Sequence, residues 1–198
     1  MGFPIQRYNV QLPLHGVWKE AFSAEEVEKI LFLEKILNFT KGRVGGQGQI
    51  ESINSDARDS EVSFLVPDDN THWIFERLAN ITPRVNYDLF LYDVEVIETI
   101  QFTKYTEDQF YDWHIDSHAM WLNYERKISG VVFLDDPEDY EGGEFELIHN
   151  GSPDKSLVIK PNKGEIVYFA SWMPHRARPV TKGVRRTLVF WVQGRRSM

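Results

Sequence analysis

The stretch Gln109-Phe110-Tyr111-Asp112-Trp113-His114-Ile115-Asp116 sets a histidine and a carboxylate two positions apart in an aromatic-rich, strand-like run. Side chains on a strand alternate between faces, so His114 and Asp116 are expected on one face together with Asp112, with Tyr111, Trp113 and Ile115 on the other. An imidazole and a carboxylate on one wall supply two of the three protein donors of an open metal site. The third must come from a strand elsewhere in the chain.

Strands are plentiful on both sides of that run. From Phe90 the pattern alternates with period two, placing Val94, Val96, Ile100 and Phe102 on one face and Ile97, Thr99, Gln101, Thr103 and Tyr105 on the other. Short strand-like segments follow at 127–134, 144–149, 156–159, 165–170, 175–180 and 185–193, separated by turn signals such as Gly142-Gly143, Asn150-Gly151 and Asn162-Lys163-Gly164. Toward the N-terminus, Ser23-Ala24-Glu25-Glu26 is a capping box that predicts a helix. Its apolar stripe runs through Val27, Ile30, Leu31, Leu33 and Leu37, and Gly42 is the expected stop. The Gly-rich segment 41–59 lacks the glycine order of a phosphate-binding loop and reads as a mobile flap. A strand is expected at 62–66, then a short helix from Asn70 or Thr71 with Ile74, Leu78 and Ile81 inward, ended by Pro83.

These elements predict a mainly β chain with flanking α: a double-stranded β-helix, or jelly roll, with N-terminal helices packed on one sheet. A single domain over 1–198 is expected, with a helical part at 1–90 and a jelly-roll core at 91–195.

Composition narrows the function classes. The 198 residues are 42% hydrophobic, 26% charged and 14% aromatic, with 22 basic against 30 acidic residues and a formal net charge of -8. Such a balance argues against general nucleic-acid binding. With no cysteine, disulfides, zinc-thiolate sites and thiol nucleophiles are excluded, so a metal must be held by His, Asp or Glu. No apolar run reaches the length of a membrane span and no leader pattern opens the chain, which leads to the expectation of a cytoplasmic protein without membrane contact.

His175 opens a strand-like run after the turn at Asn162-Lys163-Gly164, so an antiparallel barrel can set it beside His114. His15, His72 and His149 have no carboxylate at strand spacing, and His118 reads as a loop residue. Ten positions beyond His175 stands Arg185, and Thr187 shares its face. An arginine inside a barrel needs an anionic partner, and its planar fork suits a carboxylate.

This order of HxD, distal His, then Arg and Thr resembles the Fe(II)- and 2-oxoglutarate-dependent dioxygenases, in their prolyl 4-hydroxylase-like branch and closest to the PKHD-type hydroxylases. Arg58-x-Ser60, Gln101 with Lys104-Tyr105, Glu141-Gly142-Gly143-Glu144-Phe145 and the run from Pro179 to Arg185 are similar to the same branch. The resemblance implies that His114, Asp116 and His175 ligate Fe(II) and that Arg185 pairs with the distal carboxylate of 2-oxoglutarate. It further implies Thr187, Tyr105 and Gln101 in the cosubstrate pocket, O2 as oxidant and ascorbate as reductant. Hydroxylation of a C–H bond is then expected, most of all in a prolyl or other side chain of a protein or peptide, with succinate and CO2 released. A small molecule such as a free amino acid is the alternative substrate, and a non-catalytic jelly-roll binding module the alternative class. The substrate rim is expected from Met120, Trp121 and Tyr124 with Arg176 and Arg178, since such loops differ between members of one fold.

Overall fold

A computed structural model describes residues 12–44, 53–117, 119–121, 124–149 and 152–195. In chain order the first elements are β1 (His15–Trp18), α1 (Ala24–Phe32), β2 (Thr40–Lys41), β3 (Arg58–Asp59), β4 (Glu61–Leu65), α2 (His72–Leu89), β5 (Val96–Ile97) and β6 (Ile100–Tyr105). Then follow β7 (Phe110–His114), β8 (Ala119–Trp121), β9 (Tyr124–Phe133), β10 (Tyr140–Gly142) and β11 (Phe145–Leu147). The last are β12 (Leu157–Ile159), β13 (Ile166–Ala170), β14 (His175–Ala177), β15 (Val180–Gly183) and β16 (Arg185–Arg195).

The strands form a jelly roll. A large antiparallel sheet runs β1-β13-β9-β16-β6-β4-β2, with β5 added on β16 and β8 on β9. A smaller sheet runs β12-β11-β14-β7-β3, and β10 pairs with β15. Alternation along β16 shows how the large sheet divides its surroundings. Leu188, Phe190 and Val192 join the core with Ile74, Leu78 and Val85 of α2 and Val27 and Ile30 of α1. Arg185, Thr187, Val189 and Trp191 face the other way, into a cavity of about 880 Å³ between the two sheets. The same split on β6 sends Ile100 and Phe102 to the helices and Gln101 and Tyr105 to the cavity. The helices thus cover one face of the large sheet, as the binary pattern predicts.

Three local expectations are corrected. α1 begins at the capping box, with Glu26 N–H donating to Ser23 Oγ at 3.2 Å and Ser23 N–H to Glu26 Oε2 at 2.9 Å, but it ends at Phe32, well before Gly42. A 3-10 turn over Leu33–Lys35 closes it through bonds from the Ile36 and Leu37 N–H groups to Leu33 O, so no glycine is required. α2 runs through Pro83 to Leu89. Pro83 lies on the exposed side while Thr82 and Val85 are buried, so the hydrogen bond that proline forfeits falls where water can replace it, and packing of the opposite face carries the helix on. Residues 90–95 form no strand: Phe90 caps α2 and is buried in the core, and Leu91 has a positive φ of 57°.

Candidate metal centre

His114 ends β7, His175 opens β14, and the register pairs the two directly. Their ring centroids lie 4.1 Å apart. Asp116 has already left the strand. Its N–H and that of Ser117 both donate to Ser171 O at 2.9 Å, which turns the chain so that the carboxylate meets both histidines. His114 Nε2 is 3.8 Å from Asp116 Oδ1, and His175 Nε2 is 3.4 Å from Oδ2. One donor atom from each of the three lies within 4.8 Å of the others, and no other such group of three occurs among the described residues.

Neighbouring groups fix how these donors present themselves. His114 Nδ1 donates to Asp112 O at 2.7 Å and His175 Nδ1 to Met173 O at 3.0 Å, which leaves each Nε2 lone pair turned toward Asp116. Ser129 Oγ donates to Asp116 Oδ2 at 2.8 Å and lies 2.9 Å from Ser171 Oγ, with both serines fully buried. Burial, followed by repulsion from His175, holds the His114 imidazole down to about 3. Burial pushes Asp116 up, but attraction from His175, His114 and Arg126 and the Ser129 hydrogen bond outweigh it and hold the carboxyl to about 2. His114 is therefore neutral and Asp116 ionised at physiological pH, the states in which each gives up an electron pair to a metal.

The strand alternation expected around His114 fails at one point. Between the pairs His175↔His114 and Ala177↔Tyr111, β14 advances by two residues and β7 by three, so β7 carries a bulge. Tyr111 is thereby brought to the same side as His114. The two rings stack at 3.5 Å and 12°, and the Arg58 guanidinium lies 4.4 Å from the Tyr111 ring centroid. Burial is the main cause that pushes the Tyr111 phenol up to about 12, so it stays protonated. Asp112, expected beside His114, is largely exposed and serves the site through its backbone oxygen.

Across the cavity Arg185 is 2% exposed. Its Nε has no partner, and among the described residues no carboxylate lies within 4.0 Å of the guanidinium. Instead the charge sits 5.3 Å from the Tyr105 ring and 5.0 Å from Phe133. Tyr105 is the register partner of Arg185, and Thr103 that of Thr187. Gln101 Nε2 donates to Thr103 Oγ1 at 2.6 Å, and Gln101, Tyr105 and Thr187 all line the same cavity.

The expected rim is more dispersed. Arg176 lines the cavity, held by Glu146 at 2.7 Å and stacked on Trp113 at 4.5 Å. Arg178 also reaches Glu146, at 2.7 Å, but lies off the cavity. Tyr124 is likewise off it and donates to Glu95 at 2.7 Å. The side chains of Met120 and Trp121, and His118 altogether, lie outside the described residues, as do residues 45–52 of the expected flap. Sequence reasoning missed Arg126, which lines the cavity between Trp191 at 3.8 Å and Glu98 at 2.7 Å, and the place of Arg58 over Tyr111. Arg58-x-Ser60 was a usable signal for the second; the first had none.

Residues 100–193 match the family model of the 2OG-Fe(II) oxygenase superfamily. A PKHD-type hydroxylase of Gloeothece citriformis is 39% identical over 98 residues, 49% of this chain and 43% of that protein. One from Acidovorax ebreus is 33% identical over 98 residues, 47% and 42% of the two chains. The match thus spans less than half the length of these curated relatives. Among solved structures, a prolyl-4-hydroxylase of Pseudomonas putida is similar with a TM-score of 0.69 at 19% identity, covering 93% of this chain and 94% of the other. A prolyl hydroxylase of Trichoplax adhaerens, solved with a peptide fragment of hypoxia inducible factor, gives 0.71 at 18% identity over 91% and 83%. The jelly roll is thus shared over nearly the whole chain, and the half that holds the two histidines and the aspartate is similar in sequence to the 2OG-Fe(II) oxygenase superfamily and, within it, to the PKHD-type hydroxylases.

Proposed function

We propose that this chain is a 2-oxoglutarate-dependent dioxygenase that hydroxylates an unactivated C–H bond, foremost in a prolyl or other side chain of a protein or peptide. One observation carries the reading: two imidazoles and an ionised carboxylate converge on one wall of a cavity whose opposite wall holds a buried arginine without a counter-anion. The donor set suits iron(II), since three protein ligands on one face leave positions for a bidentate keto acid and for O2. Bound there, iron would supply oxygen activation coupled to the decarboxylation of 2-oxoglutarate to succinate and CO2.

The chain's own residues would bind and orient. His114, Asp116 and His175 hold the metal, with the Ser129 hydroxyl on Oδ2 fixing the carboxylate plane. Arg185 takes the distal carboxylate of 2-oxoglutarate, which resolves an otherwise costly buried charge. Tyr105 and Thr187 supply hydroxyls at that end, and Gln101, tied to Thr103, closes it. Phe145, Val131 and Val189 in the lining keep the wall dry between the two polar ends. Ascorbate would serve as reductant in vitro.

The test is turnover of 2-oxoglutarate with Fe(II) and ascorbate against a panel of proline-containing peptides and free amino acids. Succinate release with a +16 Da product is the expected outcome, and the arm in which it appears separates peptide from small-molecule substrates. Asp116→Ala is expected to abolish both signals, and retained turnover in that variant would refute the ligand set. Arg185→Ala should raise the cosubstrate KM by roughly 10- to 100-fold, the cost of losing a charge-assisted pair.

A further inference from the structure

We infer that the primary substrate presents a carboxylate to Arg58, so that the target is an acidic segment of a protein or peptide. The inference deepens the reading above by naming the substrate class for the same cavity.

Arg58 stands on β3 and lines the cavity, 7% exposed. Its Nε donates to Ser60 Oγ at 2.8 Å and its Nη1 to Arg43 O at 3.1 Å, both neutral acceptors. Among the described residues Nη2 makes no hydrogen bond and no carboxylate lies within 4.0 Å of the group. Of the other cavity-lining cations, Lys41 is matched to Asp59 at 2.6 Å, Arg126 to Glu98 at 2.7 Å and Arg176 to Glu146 at 2.7 Å, while Arg43 is exposed to water. Arg58 and Arg185 are thus two buried guanidinium groups on this cavity without an acid. Keeping a buried cation unpaired is costly unless a ligand brings the anion.

The two arginines cannot be assigned to one ligand by economy of charge. 2-Oxoglutarate has two carboxylates, of which the one beside the ketone belongs at the metal and the distal one at Arg185. Arg58 lies on the opposite sheet, 4.4 Å from the ring of Tyr111, which in turn stacks on His114. An anion held there sits on the sheet that carries the two histidines, apart from the sheet that carries Arg185. The guanidinium is also rigidly placed. A Cβ at Gly42 would fall 2.5 Å from Arg58 Nε and 2.4 Å from Ser60 Oγ, so the backbone packs directly on the pair. A fixed planar fork is what bidentate carboxylate recognition needs.

The source of the carboxylate is argued from position. β3 is the outermost strand of the small sheet, so an extended chain can pass along it into the cavity, whereas a free acid would gain only the one ion pair. A net charge of -8 repels acidic partners at a distance, which leaves selection to this local cation.

The test uses fluorescein-labelled proline peptides flanked by Glu or Asp, each matched with its Gln or Asn counterpart, in anisotropy titrations of the metal-free protein. Wild type should bind the acidic member at least about tenfold tighter, as expected for one charge-assisted pair. Arg58→Gln should erase the difference and Arg58→Lys should keep part of it. The lysine variant decides the matter if the glutamine variant fails to fold. Equal binding of both peptides by wild type, or an acidic preference that survives Arg58→Gln, overturns the inference. So does an Arg58→Gln effect confined to 2-oxoglutarate affinity, measured with Mn(II). Competition by free glutamate or aspartate as strong as that of the peptides would move the carboxylate to a small acid and overturn the peptide assignment. Because the titration needs neither iron nor turnover, its failure is distinct from a failure of the dioxygenase reading, which shows as absent succinate.

Discussion

The neutral His114 costs the metal-free protein stability only where an unfolded imidazole would be protonated. Burial holds its imidazole down to about 3, against about 6.5 in an unfolded chain, and Asp116 is held to about 2, against about 3.8. Between pH 6.5 and 3 the unfolded state therefore binds a proton at His114 that the folded state refuses. Stability contributed by this group is fully present above pH 6.5 and falls as pH drops toward 3, by roughly 1.4 kcal/mol per unit, and the Asp116 contribution follows below pH 4. Thermal melts of metal-free protein from pH 7.5 to 4.5 should show this loss, and His114→Asn should flatten it. An unchanged pH slope in the variant would show that the imidazole is not held neutral by the fold. At this scale the sequence revealed residue types and spacing but not orientation. The grouping of His114, Asp116 and His175, and the place of Arg185 on the same cavity, were legible from spacing together with the family resemblance, and their roles remain what that resemblance implies. Tyr111 was misplaced because one extra residue in β7, invisible to a period-two count, reverses which face a side chain takes.

Strands β9 and β16 show why the large sheet is as close-packed as it is. Gly130 pairs with Phe190 in the register, and a Cβ at Gly130 would lie 2.2, 2.3 and 2.8 Å from three atoms of the Phe190 ring. The ring occupies the space a side chain would fill, and Tyr168 of β13, the register partner of Gly130 on its other side, packs T-shaped against it with ring centroids 5.5 Å apart. Gly130→Ala should therefore destabilise the protein by about 1–3 kcal/mol, the usual cost of overpacking, read as a lower denaturant midpoint at unchanged slope. Phe190→Leu in the same background should recover part of the loss, and a neutral Gly130→Ala would mean that the ring moves aside freely. Most elements were legible here, since β9, β11, β12, β13, β14 and β16 each fall on an expected segment, but β8, β10 and β15 were not expected, because each is a short strand in a stretch that reads as loop or turn. Boundaries were less so, since helix length at Pro83 and the end of α1 were settled by which face meets the sheet. Local propensity cannot report that.

Taken whole, the molecule is an acidic shell around a cavity whose charged lining is mostly cationic. Lys41, Arg43, Arg58, Arg126, Arg176 and Arg185 line it against Asp112 and Asp116. Such an arrangement repels cations from part of the wall yet holds a three-donor site for one, so metal and anionic cosubstrate should stabilise the fold as a pair. Mn(II) at about 100 times its Kd adds about 2.7 kcal/mol by mass action, which for a chain of this size means a Tm rise of roughly 5–10 °C. 2-Oxoglutarate alone would meet Arg185 but lack the metal that takes its other end, so its increment should be small without Mn(II) and larger with it. Arg185→Ala should lose that second increment while keeping the first, and Asp116→Ala should lose both. Differential scanning fluorimetry with Mn(II), 2-oxoglutarate and EDTA separates these cases. Additive, independent shifts from the two ligands would mean that they do not share the cavity between the sheets, and the convergence of His114, Asp116, His175 and Arg185 on one reaction centre would have to be abandoned.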